Sequence, residues 1–226
     1  MAIVYDARHV ASPKEKRRVQ DRAVDHVSGL YPSAKPAGEF RMVRYEGILM
    51  RNLFCFLENR RDVVTYEGKP FTVRYFLDGR WRSFTPHVVV NYPDKRKVAH
   101  VVTWSSFAAS ENFEHRRPAI EEALLARKIN ELVLTTEADV KVRPRIDNEA
   151  LIASARTSPR DDEVRMRLLV SFAALGHRAT VRELRRSVLH VSSFREIVRL
   201  VADGEWSVEN IDAPFDDRAV IVRREI

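Results

Sequence analysis

Metal-dependent chemistry is the first possibility that the residue types of this chain raise. Glu46 falls near the start of a predicted helix, and His87 falls at the end of a predicted strand. Mg²⁺ needs several converging oxygen ligands, whereas His87 could bind a transition metal through its neutral imidazole. The other candidate acids, Asp78, Asp94 and Glu111, lie in predicted turns and loops, where a pre-organised metal site is harder to build. We therefore expect His87 to be packed or hydrogen-bonded, and Glu46 to be a solvated flank or a hydrogen-bond partner.

An amphipathic helix followed by short strands must position these residues. The helix is predicted from Tyr45 to Glu58, and its buried face has residues at helical spacing: Tyr45, Ile48, Leu49, Leu53, Phe56 and Leu57. Strands are predicted at 62–66, 70–76, 80–90 and 97–104, with an Asp-Gly hairpin turn at 78–79. The apolar runs Val88–Val90 and Val98–Val102 are typical of central strands covered on both faces.

A helix and one more strand complete this core. The stretch 105–117 is polar and loop-like, 118–129 is a predicted helix, and 131–135 is a predicted strand. A strand–helix–strand connection of this kind favours a parallel pair of strands with a right-handed crossover. The sequence therefore predicts a mixed α/β core with helices on its faces.

Several short sequence motifs occur one after another along these elements. They are the run from Glu46 to Val63, the step Gly68–Phe71, the strand start Thr85–Val88 and the strand end Val102–Trp104, followed by Leu134–Val140 and Pro144–Leu151. In this order they resemble TnsA, the small endonuclease subunit of heteromeric cut-and-paste transposases. The resemblance runs from about Arg44 to the C-terminus, and it implies a PD-(D/E)XK nuclease-like mixed sheet flanked by helices.

The resemblance also implies where a metal centre would stand. That family has a catalytic Glu on the helix, an Asp in the following strand, and a Glu and a Lys in the next one. The matching positions here are Met50, His87, Val102 and Trp104. A nuclease metal must polarise a phosphoryl oxygen and supply hydroxide, so the site is interpreted as dismantled and no cofactor is expected. Glu46, one helical turn before Met50 in this prediction, is the possible residual ligand for Mg²⁺ or Mn²⁺.

The N-terminal residues 1–38 are predicted to form a basic helix and a linker. Ser12, Pro13 and Glu15 make a helix start with a capping box. Between this start and about Val27 lie cations that could bind a phosphate backbone or form a solvated face: Lys14, Lys16, Arg17, Arg18 and Arg22. The stretch 28–38 ends this helix with a Gly and two Pro, and it is predicted to be a linker into a core of residues 39–157.

Residues 162–226 are predicted to form a small winged-helix-like domain. A connecting helix at 147–156, capped by Asp147, precedes it; helices at 164–175, 180–189 and 193–202 and strands at 206–211 and 219–223 follow. Two further capping boxes start at Thr180 and Ser193. The candidate DNA-binding residues of this domain are Arg182, Arg185, Arg186, Arg195 and Arg199. Base readout, protein docking and a structural cap remain open alternatives.

Composition limits the functional classes. The 226 residues carry a net charge of +7, with a pI near 9.7, which suits a polyanion such as DNA without requiring one. Cys55 is the single cysteine, so neither an intramolecular disulfide nor a cysteine zinc site is possible. The N-terminus has no apolar signal segment, and no run approaches the ~20 apolar residues of a membrane span. We expect a cytoplasmic protein without a membrane partner.

Three functions follow as hypotheses. The first is a TnsA-like protein that has lost cleavage and acts through DNA and protein binding in a transposase or another DNA-handling assembly. Its partners would be double-stranded DNA and, by the resemblance, a regulatory AAA+ ATPase and an integrase-type transposase subunit. The second is an active endonuclease with a rebuilt metal site. The third is a structural adaptor in a mobile-element or viral particle without DNA contact.

Overall fold

The chain forms two compact units, Met1–Lys141 and Val142–Ile226. The computed structural model describes residues 27–36, 39–108 and 111–224, with the backbone alone at 111 and 112. The N-terminal unit contains β1 (Ser28–Ser33), β2 (Arg41–Glu46), α1 (Ile48–Asn59), β3 (Thr65–Gly68), β4 (Val73–Leu77), β5 (Arg80–Phe84), β6 (Val88–Asn91), β7 (Lys97–Val102), α2 (Ser105–Ala108), α3 (Glu111–Leu125), β8 (Glu131–Thr135) and α4 (Glu137–Val140). The C-terminal unit contains α5 (Arg145–Ala155), α6 (Asp162–Ala174), β9 (Arg178–Thr180), α7 (Val181–Ser187), α8 (Ser193–Asp203), β10 (Trp206–Val208) and β11 (Val220–Arg223). The fold class is mixed α/β, as the sequence predicts.

A four-stranded sheet lies at the centre of the N-terminal unit. Its strand order is β3-β6-β7-β8, with β3 and β7 antiparallel to β6, and β8 parallel to β7. The parallel pair requires the long connection that α3 supplies. Val88, Val90 and Val98 are fully or almost fully buried, which confirms that the two apolar runs are central strands.

Each face of this sheet is covered. On one face the α1 residue Phe54 packs against Tyr66 of β3, with ring centroids 4.9 Å apart. On the other face α3 contributes Phe113, Ile120 and Leu124 to a cluster with residues of β7 and of the β4–β5 hairpin. That hairpin turns at Asp78 and Gly79, both with positive φ, as the Asp-Gly signal predicts.

The predicted linker at 28–38 is wrong over its first half. Residues Ser28–Ser33 form β1, which pairs antiparallel with β2 from Ser28–Glu46 to Ser33–Arg41. Tyr31 packs edge-on against Phe54 at 5.7 Å. Contacts with distant residues therefore hold this segment as a strand despite its Gly and Pro.

The main helix of the unit begins later than predicted. Tyr45 and Glu46 belong to β2, and Gly47 separates strand from helix with a φ of 85°. Glycine adopts this backbone readily because it has no Cβ. Glu46 therefore does not lie on the helix with Met50, contrary to the prediction.

Two other boundaries of the unit differ from the predictions. The predicted strand at 80–90 is divided into β5 and β6, with Pro86 in the gap, where it removes a backbone donor. Helix α3 begins at Glu111, seven residues before Pro118, so Pro118 lies inside it. A proline inside a helix costs about 3 kcal/mol, and this helix buries Phe113, Ile120 and Leu124 against the sheet.

The C-terminal unit packs four helices and a three-stranded sheet around one core. The sheet order is β10-β11-β9, with both pairs antiparallel. The Thr180–Glu183 capping box that starts α7 is confirmed, and Gly204 ends α8 in the left-handed conformation. Helix α5 packs on α8 and belongs to the compact unit that begins at Val142, whereas the sequence places a boundary at 157–162.

Two predicted helix caps of this unit are wrong. Helix α5 begins at Arg145, after Pro144, and Asp147 lies in its first turn instead of capping it. The Ser193 hydroxyl donates to the carbonyl oxygens of Val188 and His190, at 2.6 Å each, and does not cap α8. Among the helices of the described residues, none is long and apolar enough to cross a membrane.

Candidate functional site

Three of the four predicted nuclease positions, Met50, His87 and Val102, lie together at one edge of the four-stranded sheet. Strand β3 ends at Gly68 where β6 begins at Val88, and Val88 pairs in turn with His100 of β7. The C-terminal end of β2 also lies there, because Glu46 contacts Lys69 just after β3. We call Glu46, Met50, Lys69, His87 and Val102 the sheet-edge cluster.

His87 connects three strands of this edge. Its backbone N–H donates to the His100 carbonyl oxygen at 3.0 Å, and its carbonyl oxygen accepts from the Lys69 N–H at 2.9 Å. Its ring Nδ1 accepts from the Val102 N–H at 3.0 Å. The structure thus places His87 and Val102 in contact, and His87 is hydrogen-bonded as predicted.

The His87 imidazole is neutral at physiological pH. A ring nitrogen that accepts a backbone N–H carries no proton itself. Burial, with a smaller effect of the Lys69 charge, lowers the pKa of His87 to about 4. The position that would hold an aspartate in a nuclease is therefore occupied by an uncharged ring with one nitrogen already engaged.

An ion pair supplies the only opposite charges of the sheet-edge cluster. The Lys69 ammonium contacts the Glu46 carboxylate, and the Lys69 side chain is 9% exposed. Lys69 has a φ of 46°, a left-handed backbone that a non-glycine residue rarely adopts. The charge of Glu46 is thus compensated by a lysine. Of the two alternatives predicted for Glu46, a hydrogen-bond partner describes it better than a solvated flank does.

Met50 closes the cluster from the α1 side. It is 2% exposed, and its sulfur accepts from the Glu46 N–H at 3.4 Å. A Cβ on Gly68 would lie 2.7 Å from the Met50 methyl carbon and 2.4 Å from the Arg44 carbonyl oxygen. The Met50 thioether therefore packs closely against Gly68, beside the Glu46–Lys69 pair.

The remaining predicted metal-site residues lie apart from this cluster. Trp104 is 48% exposed, and the Lys141 ammonium lies 4.9 Å from its ring centroid. Asp78 pairs with Arg82 and His115, and the side chain of Glu111 lies outside the described part of the chain. No group of three or more His, Cys, Asp or Glu within the described residues could hold a metal ion.

Sequence reasoning missed the role of Lys69. In the sequence, Lys69 stands out only as part of the segment Gly68–Phe71, which belongs to the resemblance. Its contact with Glu46 joins residues 23 positions apart and depends on how β2 and β3 approach each other, which no local pattern reports.

Three of the predicted DNA-binding arginines form a second candidate site. Arg182, Arg185 and Arg186 lie on α7 and line an open groove of about 460 Å³ together with Leu189, His190, Val191 and Asp217. We call these seven residues the arginine groove. Leu189 and Val191 are 81% and 94% exposed, and Arg185 pairs with Asp217 at 2.6 Å. The groove thus combines exposed cations with exposed aliphatic side chains.

Arg195 and Arg199 do not belong to this groove. Arg199 donates to the carbonyl oxygens of Ala155 and Ser158 and pairs with Asp203, so it joins α8 to the α5 end. Arg195 contacts Glu196 on its own helix and Ser192 just before that helix. Lys14, Lys16, Arg17, Arg18 and Arg22 lie outside the described residues, as does the helix predicted to carry them.

Helix α8 is poorly placed to read DNA. Six of its eleven residues are buried, and α5, α6 and α7 all pack against it. A recognition helix must present several side chains to a groove.

The two units differ in net charge. Residues 142–226 carry 15 arginines, no lysine and 14 acidic residues, whereas residues 1–141 carry 24 cations and 18 acids. The excess positive charge therefore lies mainly in the N-terminal unit.

Comparisons with known proteins identify no family for this chain. The sequence matches no protein-family model, and no curated protein matches it. The class that fold and sites define is a mixed α/β protein with a neutral, filled sheet-edge cluster and an arginine groove.

Proposed function

We propose that this is a nuclease-fold protein that has lost its metal centre and works through binding, as a TnsA-like component of a transposase or another DNA-handling assembly. The observation that carries the proposal is that α1, β3, β6, β7, α3 and β8 follow one another in this order, with the β4–β5 hairpin and α2 inserted between them, and that the sheet order is β3-β6-β7-β8. This order is compatible with the PD-(D/E)XK nuclease core that the resemblance to TnsA implies. At the metal-binding positions that the resemblance implies, this chain has Met50, His87 and Val102.

The chemistry of these residues argues against cleavage. Phosphodiester hydrolysis of this type needs a metal held by carboxylates and a group that orients the attacking water. Met50 and Val102 have no metal-binding oxygen, and His87 uses one ring nitrogen on the Val102 N–H. Glu46 is paired with Lys69. The protein should therefore neither take up Mg²⁺ at this edge nor cut DNA.

Binding is divided between the two units in this proposal. The positive N-terminal unit binds double-stranded DNA through its phosphates, with affinity that falls as salt rises. The C-terminal unit has the element order α6-β9-α7-α8-β10-β11, typical of a winged helix. Because α8 is covered, this module docks a protein through the arginine groove. The resemblance to TnsA suggests a regulatory AAA+ ATPase or an integrase-type transposase subunit as the partner.

Metal titration and DNA binding test the proposal together. Calorimetry with Mg²⁺ and Mn²⁺, in the presence of a nicked duplex, should give no heat of binding for the wild-type chain. The Met50→Glu/His87→Asp double variant should gain binding, and the uncharged Met50→Gln/His87→Asn variant is its matched control. Anisotropy with a labelled duplex should show affinity that decreases steeply with salt.

Two outcomes would overturn the proposal. Stoichiometric metal uptake by the wild-type chain, with nicking that Glu46→Gln abolishes, would identify an active endonuclease with a rebuilt site. The absence of any salt-dependent duplex affinity would favour a structural adaptor. The wild-type measurements suffice for both, so the test stands even if the double variant does not fold.

A further inference from the structure

The β4–β5 hairpin, here called the ribbon, has one covered face and one open face. Successive residues of a strand point to opposite faces, and the register places Val73 opposite Phe84 and Tyr75 opposite Arg82. Val73 and Tyr75 are buried against α3 and the sheet. The Tyr75 hydroxyl also accepts a hydrogen bond from Arg116 Nε at 2.7 Å. Because the covered face is anchored, the open face is held in a fixed orientation.

The open face presents two aromatic rings and an arginine. Phe76 and Trp81 lie directly opposite each other, with ring centroids 5.5 Å apart. They are 55% and 61% exposed. The Arg74 guanidinium lies over the Trp81 ring, 5.2 Å from its centroid. Adjacent exposed aromatic rings on an anchored surface are typical of a binding site.

The electrostatics of this face favour an anionic ligand. By the same alternation Ser83 lies on the open face, and Thr72 and Thr85, with their hydroxyl oxygens 2.7 Å apart, continue it. None of the residues of this face is acidic. The acid at the tip of the ribbon, Asp78, pairs with Arg82 and His115. A partner of aliphatic surface would bury the Arg74 charge without a counter-charge, which is costly, whereas a phosphodiester would supply one.

We infer that the open face of the ribbon binds an unpaired nucleic-acid strand. Bases stack on Trp81 and Phe76, and Arg74 contacts the phosphate that follows. Aromatic platforms beside cations bind single strands because every base has a π face. A duplex offers its bases stacked and paired, so it cannot use these rings in the same way. This inference rests on the proposed nucleic-acid role and adds the kind of strand that the N-terminal unit recognises.

The test compares two ligands of equal charge on the full chain. One is a fluorescein-labelled oligothymidylate of about 20 nucleotides, and the other is an abasic oligomer of the same length. Wild-type protein should bind the oligothymidylate more tightly. Trp81→Ala and Phe76→Ala should each weaken that binding about tenfold and leave the abasic affinity unchanged. Trp104→Ala is the matched control, because Trp104 is also half exposed beside a cation but lies off the ribbon.

Each contrary result has a distinct meaning. Equal affinity for the two oligomers, or an equal loss in Trp104→Ala, would overturn the ribbon site while salt-dependent duplex binding left the proposed function intact. Self-association that sedimentation detects in wild type and not in Trp81→Ala would show that the ribbon joins two copies, and would also overturn the site. If the wild-type protein bound neither the single strands nor the duplex, the ribbon site and the proposed function would both be overturned.

Discussion

The sheet-edge cluster and the arginine groove use charged residues in opposite ways. In the cluster the charges are few, paired and largely buried: Lys69 contacts Glu46, and the neighbouring His87 ring is neutral. In the groove three arginines are exposed on one short helix, beside aliphatic side chains that water also reaches. One region holds its charges inside the fold, and the other presents them to solvent.

This difference indicates in which region residues can be substituted without unfolding the protein. A buried charge is stable only with its partners, and removing one partner leaves the other uncompensated. Exposed pairs contribute little to stability because water screens them. We therefore expect substitutions near the sheet edge to alter stability and its pH dependence, and substitutions in the groove to alter binding alone.

The largest effect should come from Glu58, the buried carboxylate of α1. It accepts hydrogen bonds from the Ser33 hydroxyl, the Ala34 N–H and the Tyr66 hydroxyl, at 2.7–2.9 Å. Glu58→Ala removes the shared acceptor of all three donors and should lower the free energy of unfolding by about 3–4 kcal/mol. Urea-induced unfolding followed by circular dichroism measures the change.

Glu67 is the control for this prediction. It lies on β3 with an exposed side chain, so Glu67→Ala should change the free energy of unfolding by less than about 0.5 kcal/mol. If the two variants lose equal stability, the carboxylate of Glu58 does not hold β1 to α1.

The pH dependence of stability should reveal His100, the buried imidazole of β7. Its Nδ1 contacts the Thr135 hydroxyl at 2.9 Å, and burial, with a smaller effect of Arg60, lowers its pKa to about 4. The unfolded chain has a histidine pKa near ~6.5, so it binds the proton first. Stability is therefore complete above pH ~6.5 and decreases toward pH ~4, by on the order of 3 kcal/mol for this group.

The expected result is a difference between wild type and His100→Gln in the slope of unfolding free energy against pH. His100→Gln should flatten the dependence of unfolding free energy on pH between ~6.5 and ~4, even where it lowers stability overall. The control is His115→Gln, because His115 is exposed beside Asp78. If that control and His100→Gln have the same slope, the folded-state pKa of His100 is not depressed.

Local sequence signals predicted the elements on which the two sites are built. The apolar runs of β6 and β7, the Asp78–Gly79 turn and the Thr180 capping box each depend on adjacent residues, and each is present. The arginines of α7 were predicted together because one capping box fixes that short helix. Their groove is therefore the part of the candidate sites that the sequence describes best.

Contacts between distant residues account for most of the failures. Segment 28–33 reads as a linker by its Gly29 and Pro32, yet Ser33 bonds to Glu58, 25 residues away. The Glu46–Lys69 pair requires β2 and β3 to meet. The hydrogen bond of Arg199 to the carbonyl oxygen of Ala155 joins residues 44 positions apart. Each of these contacts depends on tertiary packing, which the local helix and strand propensities of the residues do not encode.

A smaller effect is expected at Lys69. Lys69→Met keeps the length of the side chain but leaves the partly buried Glu46 carboxylate without its cation, so the free energy of unfolding should fall by about 1–2 kcal/mol. Since the Lys69 charge also lowers the pKa of His87, this pKa should rise in the variant. An NMR titration of the His87 ring measures it.

Glu46→Gln completes a double-mutant cycle with Lys69→Met. A coupling energy of about 1 kcal/mol is expected for such a contact. Zero coupling, together with an unchanged His87 titration, would mean that the ion pair is not formed in solution, and Glu46 would then be available to a metal.

The smallest effect is expected in the arginine groove, where Arg185 pairs with Asp217 and both side chains are almost half exposed. Arg185→Gln should change the free energy of unfolding by no more than about 0.5 kcal/mol, because solvent screening and side-chain entropy cancel most of the gain from an exposed pair. The exposed Arg178–Glu209 pair of the same unit provides the matched control, Arg178→Gln, measured by the same urea titration. A loss above about 2 kcal/mol in Arg185→Gln alone would make the groove part of the fold, as the sheet-edge cluster is. The groove could then no longer be treated as a surface whose cations are free to serve a partner.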